Sequence, residues 1–225
     1  MEKKNIGIKD LVNLGLFTAI YFVLFFISGM TGLIPVMAVF YPVLLAVLGG
    51  IPCILFFSKT QKFGLVTMMG ILMGLITFLM GYGPYALITG AICGALADLV
   101  MRAGGYKSWK HMIIGYCLFS EWAVGSQMIM FIYKDAYLAG YVETQGQDYA
   151  DAVSMLLANY MIPVVIVAIA VGAIVGAYLG KATLKKHFKR AGIAWCAWEQ
   201  RIMRRKSGWS FSIRARSFTC SCFSM

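Results

Sequence analysis

Six apolar stretches, each near the length that crosses a bilayer, leave this chain few alternatives to a helical membrane bundle. A spanning helix needs roughly 20 apolar residues, and such runs occur at about 11–29, 33–57, 63–80, 85–102, 110–133 and 155–180. Of the 225 residues 60% are hydrophobic and 13% charged, more apolar surface than a soluble core of this size can absorb. The expected fold class is all-α, a polytopic membrane protein with a bundle of about six transmembrane helices. In the second run Pro35, Pro42 and Pro52 predict a kink or break near Gly49-Gly50. The first run is too long for the core of a cleaved leader, no small-x-small site follows it, and it reads as a retained span.

Six spans place the N-terminus, the 58–62 turn, the 103–110 turn and the C-terminus on one side. Nineteen of the twenty Lys and Arg residues then lie on that side, and only Lys134 on the other. Basic loops stay in the cytoplasm, so both termini are expected inside (N-in/C-in) in a multi-pass protein of the cell membrane. An odd number of spans would scramble this segregation. The same clustering makes the net charge of +11 a property of loops. The expected surroundings are membrane lipid, and nucleic acid is not an expected partner.

The outer side holds two short turns, about 30–33 and 81–84, and one long loop, about 134–154. The loop carries Asp135, Glu143, Asp148 and Asp151 among Tyr133, Tyr137, Tyr141 and Tyr149. It is too short for a domain and long enough for a lid over a pocket. Residues 1–190 read as the transmembrane domain. From 191 to 225 the chain becomes a basic tail containing Trp195, Trp198, Trp209 and three cysteines. That tail reads either as a juxtamembrane helix on anionic lipid or as a segment with no part in the fold.

Cys53, Cys93 and Cys117 fall inside apolar runs, where a thiol acts as a small hydrophobe, while Cys196, Cys220 and Cys222 sit in the tail on the reducing side. None has zinc-site spacing. The chain contains no G-x-x-x-x-G-K-[ST], G-x-S-x-G or H-E-x-x-H, and its two histidines are His111 and His187. No catalytic residues, cofactor or metal are expected, and the protein is not expected to be an enzyme. Asp98 with His111 is the one grouping a membrane-embedded enzyme could use. Anything moved across the membrane would need energy from a source other than a P-loop in this chain.

Ionisable residues inside spans are costly and therefore informative. Glu121, midway along the fifth run, must face the bundle interior or a water-filled cavity. Asp98 stands four residues before Arg102, the spacing of a helical ion pair. A small-molecule pocket joins apolar walls to a few polar groups. The outer ends of spans four to six, closed by the 134–154 loop, offer Tyr82, Tyr85, Glu121, Trp122, Gln127, Asn159 and Tyr160 as ligand-binding candidates, with Ser126 beside them and Glu121 at the floor.

Small residues recur every fourth position: Gly15 and Ala19; Gly70 and Gly74; Ala86, Gly90 and Gly94; Ala168, Gly172, Gly176 and Gly180. Such faces let helix backbones approach closely. Most are expected to pack within the bundle. Gly15 and Ala19, towards the cytoplasmic end of the first span, are the candidate docking face for a partner protein.

These features together resemble the substrate-binding S components of energy-coupling factor transporters, over about residues 1–190. Lys9 to Phe22, K-D-L-V-N-L-G-L-F-T-A-I-Y-F, looks like the first helix of such proteins, with Gly15-x-x-x-Ala19 matching their small-residue docking face. The whole is most similar to the Trep_Strep branch. The resemblance implies a subunit that captures a micronutrient, a vitamin or related small molecule, outside. It then topples in the membrane and releases its ligand inside, working with a transmembrane T component and two ATP-binding subunits. The tail beyond 190 has no counterpart in that picture. A stand-alone small-solute carrier or channel is the competing expectation, and it would call for an inverted repeat or a charged relay at the midplane.

Overall fold

A computed structural model of the chain describes residues 6–60, 62–106, 108–158 and 160–191, with side chains as far as Leu184. The unit ending at Leu184 holds the bundle; of the unit that begins at Lys185, the described part is helical backbone to Ala191. Among the described residues all regular structure is helical: α1 (Ile8–Met30), α2 (Pro35–Lys59), α3 (Leu65–Thr77), α4 (Tyr85–Ala103), α5 (Trp109–Ser120), α6 (Trp122–Ile132), α7 (Lys134–Gln145), α8 (Gln147–Leu156) and α9 (Met161–Ala191). A short 3-10 turn, Thr31–Leu33, links α1 to α2, and a π turn, Phe78–Tyr82, prolongs α3.

Five of these segments are each long and apolar enough to span a membrane: Ile8–Leu33, Pro35–Lys59, Leu65–Tyr82, Tyr85–Ala103 and Met161–Leu184. The sixth apolar run is divided. Helices α5 and α6, of 12 and 11 residues, are separated by Glu121 alone. Glu121 keeps helical torsions (φ −66°, ψ −12°), and the Val124 amide bonds its carbonyl in a tightened turn. One cause is local: the Ser120 hydroxyl donates back to the Tyr116 carbonyl at 2.9 Å, a bond that bends helices. Taken as one stretch the pair rises about 36 Å, enough to cross the hydrocarbon.

Two expectations need correction. Helix α2 runs unbroken through Gly49 and Gly50 despite Pro42 and Pro52. Pro42 cannot donate to the Ala38 carbonyl one turn back, and the Gln127 side chain donates there instead at 3.4 Å. The long outer loop is also not irregular, for it folds into α7 and α8 around Gly146, whose φ of +93° favours glycine. Lys134, the single basic residue of that side, donates to the Ser154 and Leu157 carbonyls at the end of α8, where a cation suits the helix dipole.

The glycines at four-residue spacing explain how the bundle closes. A Cβ built on Gly70 would lie 2.3 Å from the Gly90 carbonyl oxygen, and one on Gly50 would lie 2.2 Å from the Gly176 backbone. Helices α3 with α4, and α2 with α9, therefore touch backbone to backbone, the contact that dispersion rewards in lipid. Outward, α1 and α9 present Val12, Leu16, Ile20, Val23, Val164, Val167 and Val171, all exposed in the isolated chain. Such a belt suits acyl chains and would be a liability in water.

Cysteine probes placed in 134–154 should label from outside intact cells, and probes near residues 60 or 105 should not, in a background cleared of native cysteines. Outside labelling near residue 60 would contradict the six-span topology.

Candidate functional site

At the end of the bundle away from the basic turns, a cavity of about 520 Å³ opens among α1, α2, the π turn, α6 and α7. Tyr41, Tyr82, Ser126, Gln127, Tyr137 and Tyr141 supply its polar and aromatic wall, with Met80 and Met130 beside them. The Tyr41 and Ser126 hydroxyls are bonded at 2.8 Å, fixing α2 to α6 across the wall. Phe25 lies behind, its ring centroid 6.0 Å from that of Tyr41 and 5.8 Å from that of Tyr82. Gln127 is 3% exposed, and its Oε1 has no hydrogen-bond partner among the described residues.

Helix α7 roofs the cavity with Tyr137 and Tyr141 and buries no residue fully. Helix α8 is better anchored. Tyr149, Ala150 and Val153 are buried, and the Tyr149 hydroxyl donates to the Gly32 carbonyl in the turn between α1 and α2. Tyr141 stacks edge-on between Tyr137 and Tyr149, at 6.2 and 5.2 Å. Burial first, then the neighbouring phenols of Tyr149 and Tyr137, push the Tyr141 hydroxyl up to about 12. Tyr141 therefore presents a neutral phenol to the cavity.

Of the candidates named from the sequence, Tyr82 and Gln127 line this cavity. Trp122 lies behind the wall, fully buried, its Nε1 donating to the Tyr21 hydroxyl at 3.2 Å and its ring 5.7 Å from Phe25. Tyr85 and Glu121 are half-buried and away from it, Tyr160 is 68% exposed, and Asn159 lies outside the described residues. The cavity thus joins spans one, two, three and five rather than four to six. Tyr41, Tyr137 and Tyr141 are the residues that sequence reasoning left out of the set. The tyrosine-rich loop was a usable signal for the last two. Tyr41 gave none, being one more aromatic in an apolar run.

Glu121 sits half-buried at the α5–α6 junction. Its Oε2 has no partner among the described residues. Because it does not reach the cavity, Glu121→Gln should leave the dissociation constant of a cavity ligand within about twofold. A tenfold change on the purified variant would return Glu121 to the site.

Asp98 departs from the expected ion pair. Fully buried on α4, its carboxylate accepts from the Gly64 amide at 2.8 Å, the Thr67 amide at 3.1 Å, the Thr67 hydroxyl at 3.0 Å and the Tyr106 hydroxyl at 3.2 Å. It caps the start of α3 from a neighbouring helix. Arg102 instead stacks on the Phe63 ring at 5.1 Å. His111 bonds Ser108 at 2.9 Å, so an Asp98–His111 couple finds no support.

The small face of α1 stands apart from the other glycine faces. A Cβ added to Gly15 meets nothing within 4 Å, and Gly15 and Ala19 are both exposed. Close packing inside the bundle does not account for them.

These features define an α-helical, multi-pass integral membrane protein with a lidded cavity at one end. Its sequence matches the family model described as a hypothetical bacterial integral membrane protein (Trep_Strep) over residues 8–190, and the chain belongs to that family. Searches of curated proteins and of solved structures return no match.

Proposed function

We propose that the chain is the substrate-binding subunit of an energy-coupling-factor-type importer. It captures a micronutrient, a vitamin or related small molecule, outside and delivers it inward with a T component and two ATP-binding subunits. The observation that carries this reading is the cavity at the end opposite the basic turns, roofed by the lightly packed α7. A binder of external solute must open outward, and the charge asymmetry makes that end the outer one. The outward small-residue face of α1 supports a membrane partner, since Gly15 and Ala19 are exposed and a Cβ on Gly15 would meet nothing within 4 Å. The chain has no P-loop, so hydrolysis of ATP through that motif would fall to partners.

The test is isolation of the chain from its native membrane in mild detergent, with identification of what accompanies it. Recovery with a second membrane protein and ATP-binding subunits supports the reading. Recovery alone, with uptake intact in vesicles containing only this chain, would favour a stand-alone carrier.

A further inference from the structure

We propose that the cavity takes an uncharged, flat nitrogen heterocycle whose edge carries an N–H beside a carbonyl, read by the side-chain amide of Gln127 and stacked against the tyrosine wall. This rests on the cavity being the ligand site. Among the described residues its lining is glycine, alanine, leucine, methionine, serine, glutamine and tyrosine, with no carboxylate, ammonium or guanidinium. A carboxylate or phosphate entering would lose its water and meet no cation. Lys134, the basic residue of that end, is held by the α8 carbonyls.

Gln127 supplies the direction of recognition. Its amide nitrogen faces the Ala38 carbonyl that Pro42 frees. That fixes the oxygen as the other end, buried and unpartnered. A buried acceptor left unpaired is costly, and a donor brought by the ligand removes that cost. The amide nitrogen has a second hydrogen, so Gln127 offers an acceptor with a donor beside it. A lactam edge presents the complement, the same pairing by which glutamine reads the edge of a base. The rings of Tyr41, Tyr82, Tyr137 and Tyr141 supply faces on which a planar molecule stacks. The volume of about 520 Å³ falls within the range of small-ligand pockets, roughly 300–1,000 Å³.

The test uses the full-length chain in detergent and four probes followed by titration calorimetry: quinazolinone, its N-methyl derivative lacking the edge donor, its carboxylate, and N-methylquinolinium. Quinazolinone should bind, N-methylation should weaken it at least tenfold, and the carboxylate should not bind. In Gln127→Leu the difference between quinazolinone and its N-methyl derivative should vanish. Should that variant fail to fold, the comparison on the unaltered chain still decides. Equal binding of the two lactams overturns the proposal. Tighter binding of the carboxylate or of quinolinium, abolished by Tyr41→Ala, also overturns it but leaves the cavity as a ligand site of another class. Binding of no probe overturns it too, and partner recovery from the membrane then decides the transporter reading separately.

Discussion

Asp98→Ala should remove roughly 3–5 kcal/mol of stability. The carboxylate has zero exposure and gathers four donors from three segments: the turn before α3, the first turn of α3, and Tyr106 beyond α4. Alanine strips both backbone amides and both hydroxyls of their acceptor at once; the donors belong to half-buried residues, so water recovers part of the roughly 1–3 kcal/mol that each fully buried unpaired group would cost. Asp98→Asn keeps one oxygen and should lose less, since charge-assisted bonds become neutral ones. Thermal unfolding of the three proteins in one detergent gives the order native, asparagine, alanine. An alanine variant as stable as the native chain would mean that the α3 cap is not formed.

The second large effect separates assembly from folding. Gly15→Leu and Ala19→Leu should leave the melting temperature within a degree or two while abolishing recovery of a partner. At Gly15 the first added carbon meets nothing within 4 Å. Gly176→Leu should do the opposite. A Cβ there would fall 2.3 Å from the Ala46 carbonyl oxygen and 2.7 Å from that of Val47, so α9 must move off α2 and the bundle should fail to fold. The two glycines look equivalent in the sequence, each in a small-x-x-x-small pattern. What distinguishes them is that backbone of the same chain lies against Gly176, whereas nothing of the chain lies within 4 Å of a Cβ on Gly15.

That difference marks where sequence reasoning stopped. The all-helical, multi-pass class was legible because it follows from a solvent property, the intolerance of hydrocarbon for charge and unpaired backbone. The cavity walls were not, because they depend on which helices become neighbours. Tyr41 and Ser126 bond across 85 positions, and nothing local announces the pair. The pocket was expected between spans four and six because the long loop joins spans five and six. Tyr149 draws that loop instead towards Gly32, over the turn between α1 and α2. Trp122 was expected in the pocket lining, yet its ring packs at the centre of the bundle between Tyr21 and Phe25. Gln127 was named as a ligand candidate and does line the cavity, but its partner became visible only once Pro42 was seen to free the Ala38 carbonyl.

The central claim, that this chain binds solute for a separately energised membrane complex, is tested most directly by cross-linking. A photo-reactive residue at position 15, on the outward face of α1, is compared with one at Val171, exposed on α9. In native membranes position 15 should form an adduct with one discrete membrane protein that itself carries ATP-binding subunits, and position 171 should give lipid adducts. Lipid adducts alone at both positions would contradict the account.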